Sequence, residues 1–133
     1  MIVARYREEI TEQMLDAARH TAKTKELEVA EVVWVPGAFE IPLALKKILH
    51  DNAIDGAVCL AAVVKGDTDH DQIVAHNAAR KIMDLGIEYQ KPVGMGISGP
   101  NQTLANAQER AVPYGKHAVE TVAEMLEWLS KRD

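Results

Sequence analysis

A chain of 133 residues carrying a formal net charge of −5 has room for one hydrophobic core, and a single domain over residues 1–133 is expected. There is no basic run and aromatics make up only 5% of the chain, which excludes a phosphate-backbone footprint and a base-stacking platform, and with them nucleic acid as a partner. No apolar segment reaches the roughly 20 residues that cross a bilayer, so no membrane partner is expected either.

Met1 to Arg5 has no signal-peptide pattern and leads directly into a first short strand, Ile2 to Ala4. From Glu8 the period becomes helical, with Ile10, Met14, Ala17 or Ala18, and Thr21 on one face. Glu8 and Glu9 open the helix in the sense its dipole favours, and Lys23 and Lys25 close it. Leu27 to Val35 reads as a second strand, stopped by Pro36-Gly37. A second helix starts near Phe39, with Pro42 in its first turn and Ile41, Ala44, Leu45 and Ile48 inward. Ala57 to Val64 is a third strand, apolar throughout and so covered on both faces. It holds the single cysteine, Cys59, which can form no internal disulfide. A small buried thiol in a reduced, cytoplasmic protein is the expectation. A third helix follows from about Asp69 to Gly86, with Val74, Ala78, Ile82 and Leu85 inward. Pro92 to Ile97 is a fourth strand. A short helical piece, Thr103 to Glu109, is then separated by Val112-Pro113-Tyr114-Gly115 from a last helix marked by Val119, Val122, Leu126 and Leu129.

Strands alternating with helices of this length predict an α/β three-layer sandwich around a four-stranded parallel sheet. Right-handed crossovers favour strand order 2-1-3-4, a flavodoxin-like arrangement. In such sheets ligands bind beyond the carboxyl ends of the strands, where the winding reverses. That edge collects Tyr6 from the first strand, Gly37, Ala38, Phe39 and Glu40 from the second, Lys65 to His70 from the third, and Ser98 and Gly99 from the fourth. The stretch from Ala62 to Asp71 is the focus. A buried strand that breaks at Gly66 into a helix start leaves unpaired N–H groups and the positive end of a helix dipole at one spot, which is an anion site. Lys65 adds a positive charge. His70, one turn into the helix and with an unperturbed pKa of about 6.5, is placed to move a proton. Together these point to a phosphorylated substrate.

Several of these residues have a plainer use. Asp67, Asp69 and Asp71 with His70 could ligate a metal, but alternating acids at a helix start are more often caps and dipole partners, with Asp67 or Thr68 as the cap. No second His or Cys cluster supports a metal, and neither metal nor cofactor is expected. Phe39 and Glu40 can be core plus solvated surface, and Arg110 and Lys116, taken bare, are surface ion-pair partners. His20, His50, His76 and His117 read as surface residues or caps.

Val35-Pro36-Gly37-Ala38-Phe39-Glu40-Ile41-Pro42, then Gly66-Asp67-Thr68-Asp69-His70, then Gln108-Glu109-Arg110 resemble the 6,7-dimethyl-8-ribityllumazine synthase family. Asp67-Thr68-Asp69-His70-Asp71, His76-Asn77-Ala78-Ala79-Arg80-Lys81 and Ile97-Ser98-Gly99-Pro100 resemble its archaeal branch, and the similarity spans the chain in order. The resemblance implies a transferase of riboflavin biosynthesis. It would condense 5-amino-6-(D-ribitylamino)uracil with 3,4-dihydroxy-2-butanone 4-phosphate, releasing phosphate and water. On that resemblance Tyr6 stacks on the pyrimidine, and Ala38, Phe39, Glu40, Ala62, Val63 and Val64 hold the uracil edge and ribityl chain. Gly66, Asp67 and Thr68 hold the phosphate through backbone N–H groups, Arg110 of a neighbouring subunit completes that site, and His70 transfers protons. Lys65 stands where the family commonly has arginine, a point charge in place of a bidentate fork, and Lys116 is a possible accessory. Asp67 stands where glutamate is common. Met95 stands where many members place a second aromatic from the adjacent subunit, keeping an apolar lid. With little strand before Ala4, the segment that pairs with the next subunit in some members is not expected. The resemblance further implies a homo-oligomer, a pentamer that in many members stacks into an icosahedral shell. The same residues leave open a non-catalytic cage or flavin- or pyrimidine-binding protein of this fold, a metal-assisted hydrolase, and an archaeal-type riboflavin synthase, which consumes lumazine.

Overall fold

The parallel sheet is built outward from its most apolar segment. All six residues of β3 (Ala57–Ala62) are buried, and it pairs on one side with β1 (Ile2–Ala4) and on the other with β4 (Val93–Ser98). β2 (Val33–Val35) pairs with the far side of β1, giving the order β2-β1-β3-β4, as alternating strands and helices predict. The computed structural model describes residues 1–132.

Helices α1 (Glu8–Thr24) and α4 (Leu104–Ser130) cover one face of the sheet, and α2 (Ile41–Leu49) and α3 (His70–Tyr89) cover the other. The first core layer joins Ile10, Met14 and Ala18 of α1 to Val58 and Leu60 of β3 and to Ala111, Val119 and Val122 of α4. The second joins Ile41, Leu45 and Leu49 of α2 to Cys59 and Ala61 and to Ala75, Ala78 and Ile82 of α3. The i, i+3/i+4 stripes expected for α1 and α3 are those that face inward, except that Val74 is only partly buried.

Several boundaries differ from the expectation; α3 runs on to Tyr89 rather than ending at Gly86, β4 is Val93–Ser98 rather than Pro92 to Ile97, and three differences are larger or bear on the site. The second strand is three residues long rather than running from Leu27. A strand extends only where a neighbour supplies ladder partners, and β1 offers Ile2, Val3 and Ala4, opposite Val33, Trp34 and Val35. The third strand ends at Ala62, not Val64. Beyond it the chain stays tied to the next connection, with Val63 N–H donating to Ser98 O at 2.9 Å and Lys65 N–H to Gln102 O at 2.9 Å.

The last two helical segments are one helix. Thr103 and Asn106 form a reciprocal capping box, Thr103 Oγ1 accepting from Asn106 N–H at 3.1 Å, and α4 then runs unbroken through Pro113. An interior proline costs about 3 kcal/mol by itself. Here Ala107, Ala111, Ala118 and Val119 are buried on either side of it, and Gly115 lies flat against the backbone of Met14 in α1. Packing along the whole length of α4 outweighs the local break.

Candidate active site

The winding reverses between β1 and β3, and a cavity of about 620 Å³ opens there at the carboxyl ends of β1, β2 and β3. Tyr6 enters it from the end of β1. Ala38, Phe39 and Glu40 enter as a single 3-10 turn between β2 and α2, and Ala62, Val63 and Val64 as the exit of β3. Lys65, Gly66, Thr68 and His70 line it from the β3–α3 connection. The convergence expected of Tyr6, Glu40 and His70 is therefore present. Tyr6 and Phe39 are 67% and 61% exposed, so this chain alone leaves the mouth of the cavity open.

The β3–α3 connection has the form of an anion cradle. Among the described residues, the N–H groups of Gly66, Asp67 and Thr68 donate to no acceptor, while Lys65 N–H and His70 N–H are engaged. A Cβ built on Gly66 meets nothing within 4 Å, so the space over this peptide is open. Lys65 Nζ lies 3.4 Å from Asp69 Oδ1 in an exposed pair, worth at most about 1 kcal/mol, which an incoming anion can displace.

The three acids have separate uses. Neither Asp67 nor Thr68 is the cap, because the cap position of α3 is Asp69, which makes no side-chain cap hydrogen bond; Thr68 Oγ1, just ahead of it, accepts from His70 N–H at 3.2 Å. Asp69 pairs with Lys65. Asp71 is 4% exposed, and its Oδ2 accepts from Asn101 N–H at 2.8 Å. Among the described residues no group of three or more His, Cys, Asp or Glu side chains is placed to hold a metal ion.

Four expected site residues lie outside this cavity. Asp67 is exposed beside it. Met95 is at the outer edge of the sheet, lining an apolar hollow of about 570 Å³ with Met83, Ile87, Met125 and Leu129. Lys116 is exposed on α4. Arg110, also exposed on α4, donates from Nη1 to Gln102 Oε1 at 3.0 Å, which leaves the rest of its guanidinium edge free. A larger hollow of about 700 Å³ lies at the amino ends of the strands. It is lined by Glu28, Glu31, Asp51 and Asp55 and by no Lys, Arg or His side chain, so it does not suit an anionic substrate.

The chain matches the family model described as 6,7-dimethyl-8-ribityllumazine synthase over residues 1–130. It is 48% identical over 130 residues to the 6,7-dimethyl-8-ribityllumazine synthase of Methanobrevibacter smithii, covering 98% of this chain and 94% of the relative. The chain belongs to the 6,7-dimethyl-8-ribityllumazine synthase family. The family relative from Picrophilus torridus is 46% identical over 97% of this chain and 94% of its own, and that from Methanopyrus kandleri 49% identical over 95% and 89%. The match runs through every element that builds the cavity, where the motifs around Pro36 to Glu40 and Gly66 to His70 meet, while the third motif, Gln108-Glu109-Arg110, lies apart from it on α4.

Three residues at or beside the site have a placement that the sequence did not signal. Arg7 lines the cavity with its guanidinium 5.4 Å from the ring centre of Tyr6, and it holds a left-handed backbone, φ 62° and ψ 49°, at the start of α1. Asp71 reads as one of three acids that cap α3 or complement its dipole, and it is buried. Gln102, in the connection between β4 and α4, is 2% exposed and engages three other residues. For both Asp71 and Gln102 the partner is brought in by the fold, and no local pattern could have announced it.

Proposed function

We infer that the protein condenses 5-amino-6-(D-ribitylamino)uracil with 3,4-dihydroxy-2-butanone 4-phosphate to 6,7-dimethyl-8-ribityllumazine, the penultimate step of riboflavin biosynthesis. The observation that carries this reading is the meeting of Tyr6, Glu40 and His70 on one cavity beside the open N–H groups of Gly66 to Thr68, in a chain of this family.

The roles follow from chemistry. Tyr6 offers a flat face to the pyrimidine. The polar backbone of Ala38 to Glu40 and the exit Ala62 to Val64 bracket the uracil edge and the ribityl chain. The phosphate rests on Gly66, Asp67 and Thr68, with Lys65 as accessory charge. An amine and a ketone react without help, so holding them together is the largest contribution, with effective molarities of about 10⁵ M or more for oriented partners. The 5-amino group attacks the ketone, His70 carries protons during imine formation and phosphate loss, and ring closure follows.

Arg110 and Met95 lie outside the cavity of their own chain, and Tyr6 and Phe39 stand exposed at its mouth. Both facts favour a homo-oligomer in which Arg110 and Met95 complete the site of the adjacent subunit, and the family resemblance points to a pentamer, alone or stacked into an icosahedral shell. A cytoplasmic location accords with the substrates, and no described helix is long and apolar enough to cross a membrane.

The test is direct. Purified protein mixed with both substrates should develop the lumazine absorbance. Protein that instead consumes supplied lumazine is a riboflavin synthase, and protein inert to both substrate sets is a binding or assembly protein of this fold. Sedimentation of the active species should show an oligomer, and a catalytically competent monomer would rule out the shared site.

A further inference from the structure

The connection between β4 and α4 holds the one guanidinium that the proposed function assigns to phosphate, and it does so through a single buried side chain. Gln102 donates from Nε2 to Val63 O at 3.2 Å and to Ser98 Oγ at 2.8 Å, while its Oε1 accepts from Arg110 Nη1 at 3.0 Å. Every polar group of this amide is engaged, in a residue 2% exposed. Its main chain is fixed as well, with Lys65 N–H donating to Gln102 O at 2.9 Å. One residue earlier, Asn101 N–H is held by Asp71 Oδ2 at 2.8 Å, and Asp71 lies in the first turn of α3 next to His70. The connection is thus pinned to the exit of β3 and to the start of α3, the two segments that form the cavity.

We propose that Gln102 is a positioning residue for the reaction: it orients Arg110 toward phosphate and ties that orientation to the Val63 edge of its own chain's cavity. This rests on the assignment of Arg110 to the phosphate site. A free arginine on an exposed helix face samples many rotamers and would lose that freedom on binding. Anchored at Nη1, it presents Nε and Nη2 in one direction, so less is lost when the anion arrives. A buried glutamine suits this use because one planar group both accepts from the guanidinium and donates to the strand end.

The test compares Gln102→Met, of similar length without polar atoms, with Gln102→Glu, which keeps an acceptor for Arg110 but gives up both donors. With Gln102→Met, KM for the phosphorylated ketone should rise about tenfold or more, as expected for a lost hydrogen bond to a charged group, while kcat and KM for the pyrimidine stay within about twofold of the parent. Gln102→Glu should recover most of the phosphate-side KM. In an Arg110→Ala background, Gln102→Met should add nothing. If Gln102→Met loses its fold by circular dichroism, Gln102→Asn, too short to span Arg110 and Val63 together, replaces it under the same criteria. A KM for the ketone unchanged by loss of the amide, with Arg110→Ala raising it, overturns the positioning role alone. Equal rises for both substrates overturn it too, because they mark collapse of the connection. An unchanged KM in Arg110→Ala refutes the phosphate assignment of Arg110 and this inference with it.

Discussion

Gly94 of β4 lies against the main-chain carbonyl of Ala118 in α4 so closely that a Cβ on Gly94 would enter that oxygen. The strand and the helix touch backbone to backbone, and neither side can swing away as a side chain would. Gly94→Ala should therefore cost about 3 kcal/mol or more, the upper range for overpacking, or prevent folding. Urea denaturation measures this, and a midpoint within experimental error of the parent would mean that β4 and α4 are farther apart than described.

Gly66 is the opposite case. Its added Cβ meets nothing in the chain, so Gly66→Ala should leave stability unchanged or raise it by up to about 1 kcal/mol through the unfolded state. If a phosphate rests on this peptide, the same methyl should raise KM for the phosphorylated substrate while sparing that for the pyrimidine. A variant stable and kinetically normal would remove the phosphate from this turn.

His70→Ala should lower kcat by about 10²–10⁴-fold, the usual share of a general acid–base group, and leave measurable turnover because orientation of the two substrates survives. Single-turnover rates with saturating substrates test it. Total loss of activity with fold and binding intact would mean that proton transfer, not positioning, limits the reaction.

How far the residues announced all this depends on the range of the interactions involved. Sheet order, helix faces and the convergence of Tyr6, Glu40 and His70 were legible because each follows from a local period plus the handedness of a crossover. The burial of Cys59 was legible for the same reason, being set by the apolar run around it. Pro113 misled, since a proline is a local signal and the packing of Ala111 and Gly115 against α1 and the sheet is not. Leu27 to Val32 misled because strand propensity forms no ladder without partners, and β1 supplies only three. Asp71 and Gln102 were silent because Asn101 and Val63 are distant in sequence and meet them only in the fold.

Cys59 gives a prediction in pH. Burial pushes its thiol from an ordinary 9.0 up to about 12. Between those values the unfolded chain has released the proton and the folded chain retains it, so the unfolded state binds fewer protons and stability falls as pH rises from 9.0 toward about 12. Cys59→Ala should be less stable at neutral pH yet lose stability less steeply over that alkaline range. Parallel curves for the two proteins would contradict the burial. Thiol reagents should leave the native protein unmodified at pH 8 and label it once denatured.

Arg7 adopts a left-handed backbone that costs an L-residue with a Cβ about 1–2 kcal/mol, and asparagine tolerates it better. Arg7→Asn should raise the melting temperature by a few degrees, whatever it does to binding in the cavity that Arg7 lines. Differential scanning calorimetry decides, and a lower melting temperature would show that the guanidinium over Tyr6 contributes more than the backbone loses.

The central position of β1 has a consequence for the order in which the two core layers close. β1 gains its second neighbour only when β3 pairs with it, and the inner face of α1, with Ile10 and Met14, is covered only when α4, distant in the chain, packs against it. The α2–α3 layer joins elements close together in the chain, whereas the α1–α4 layer joins the first and last described helices, so the contacts that close it are the slowest to form.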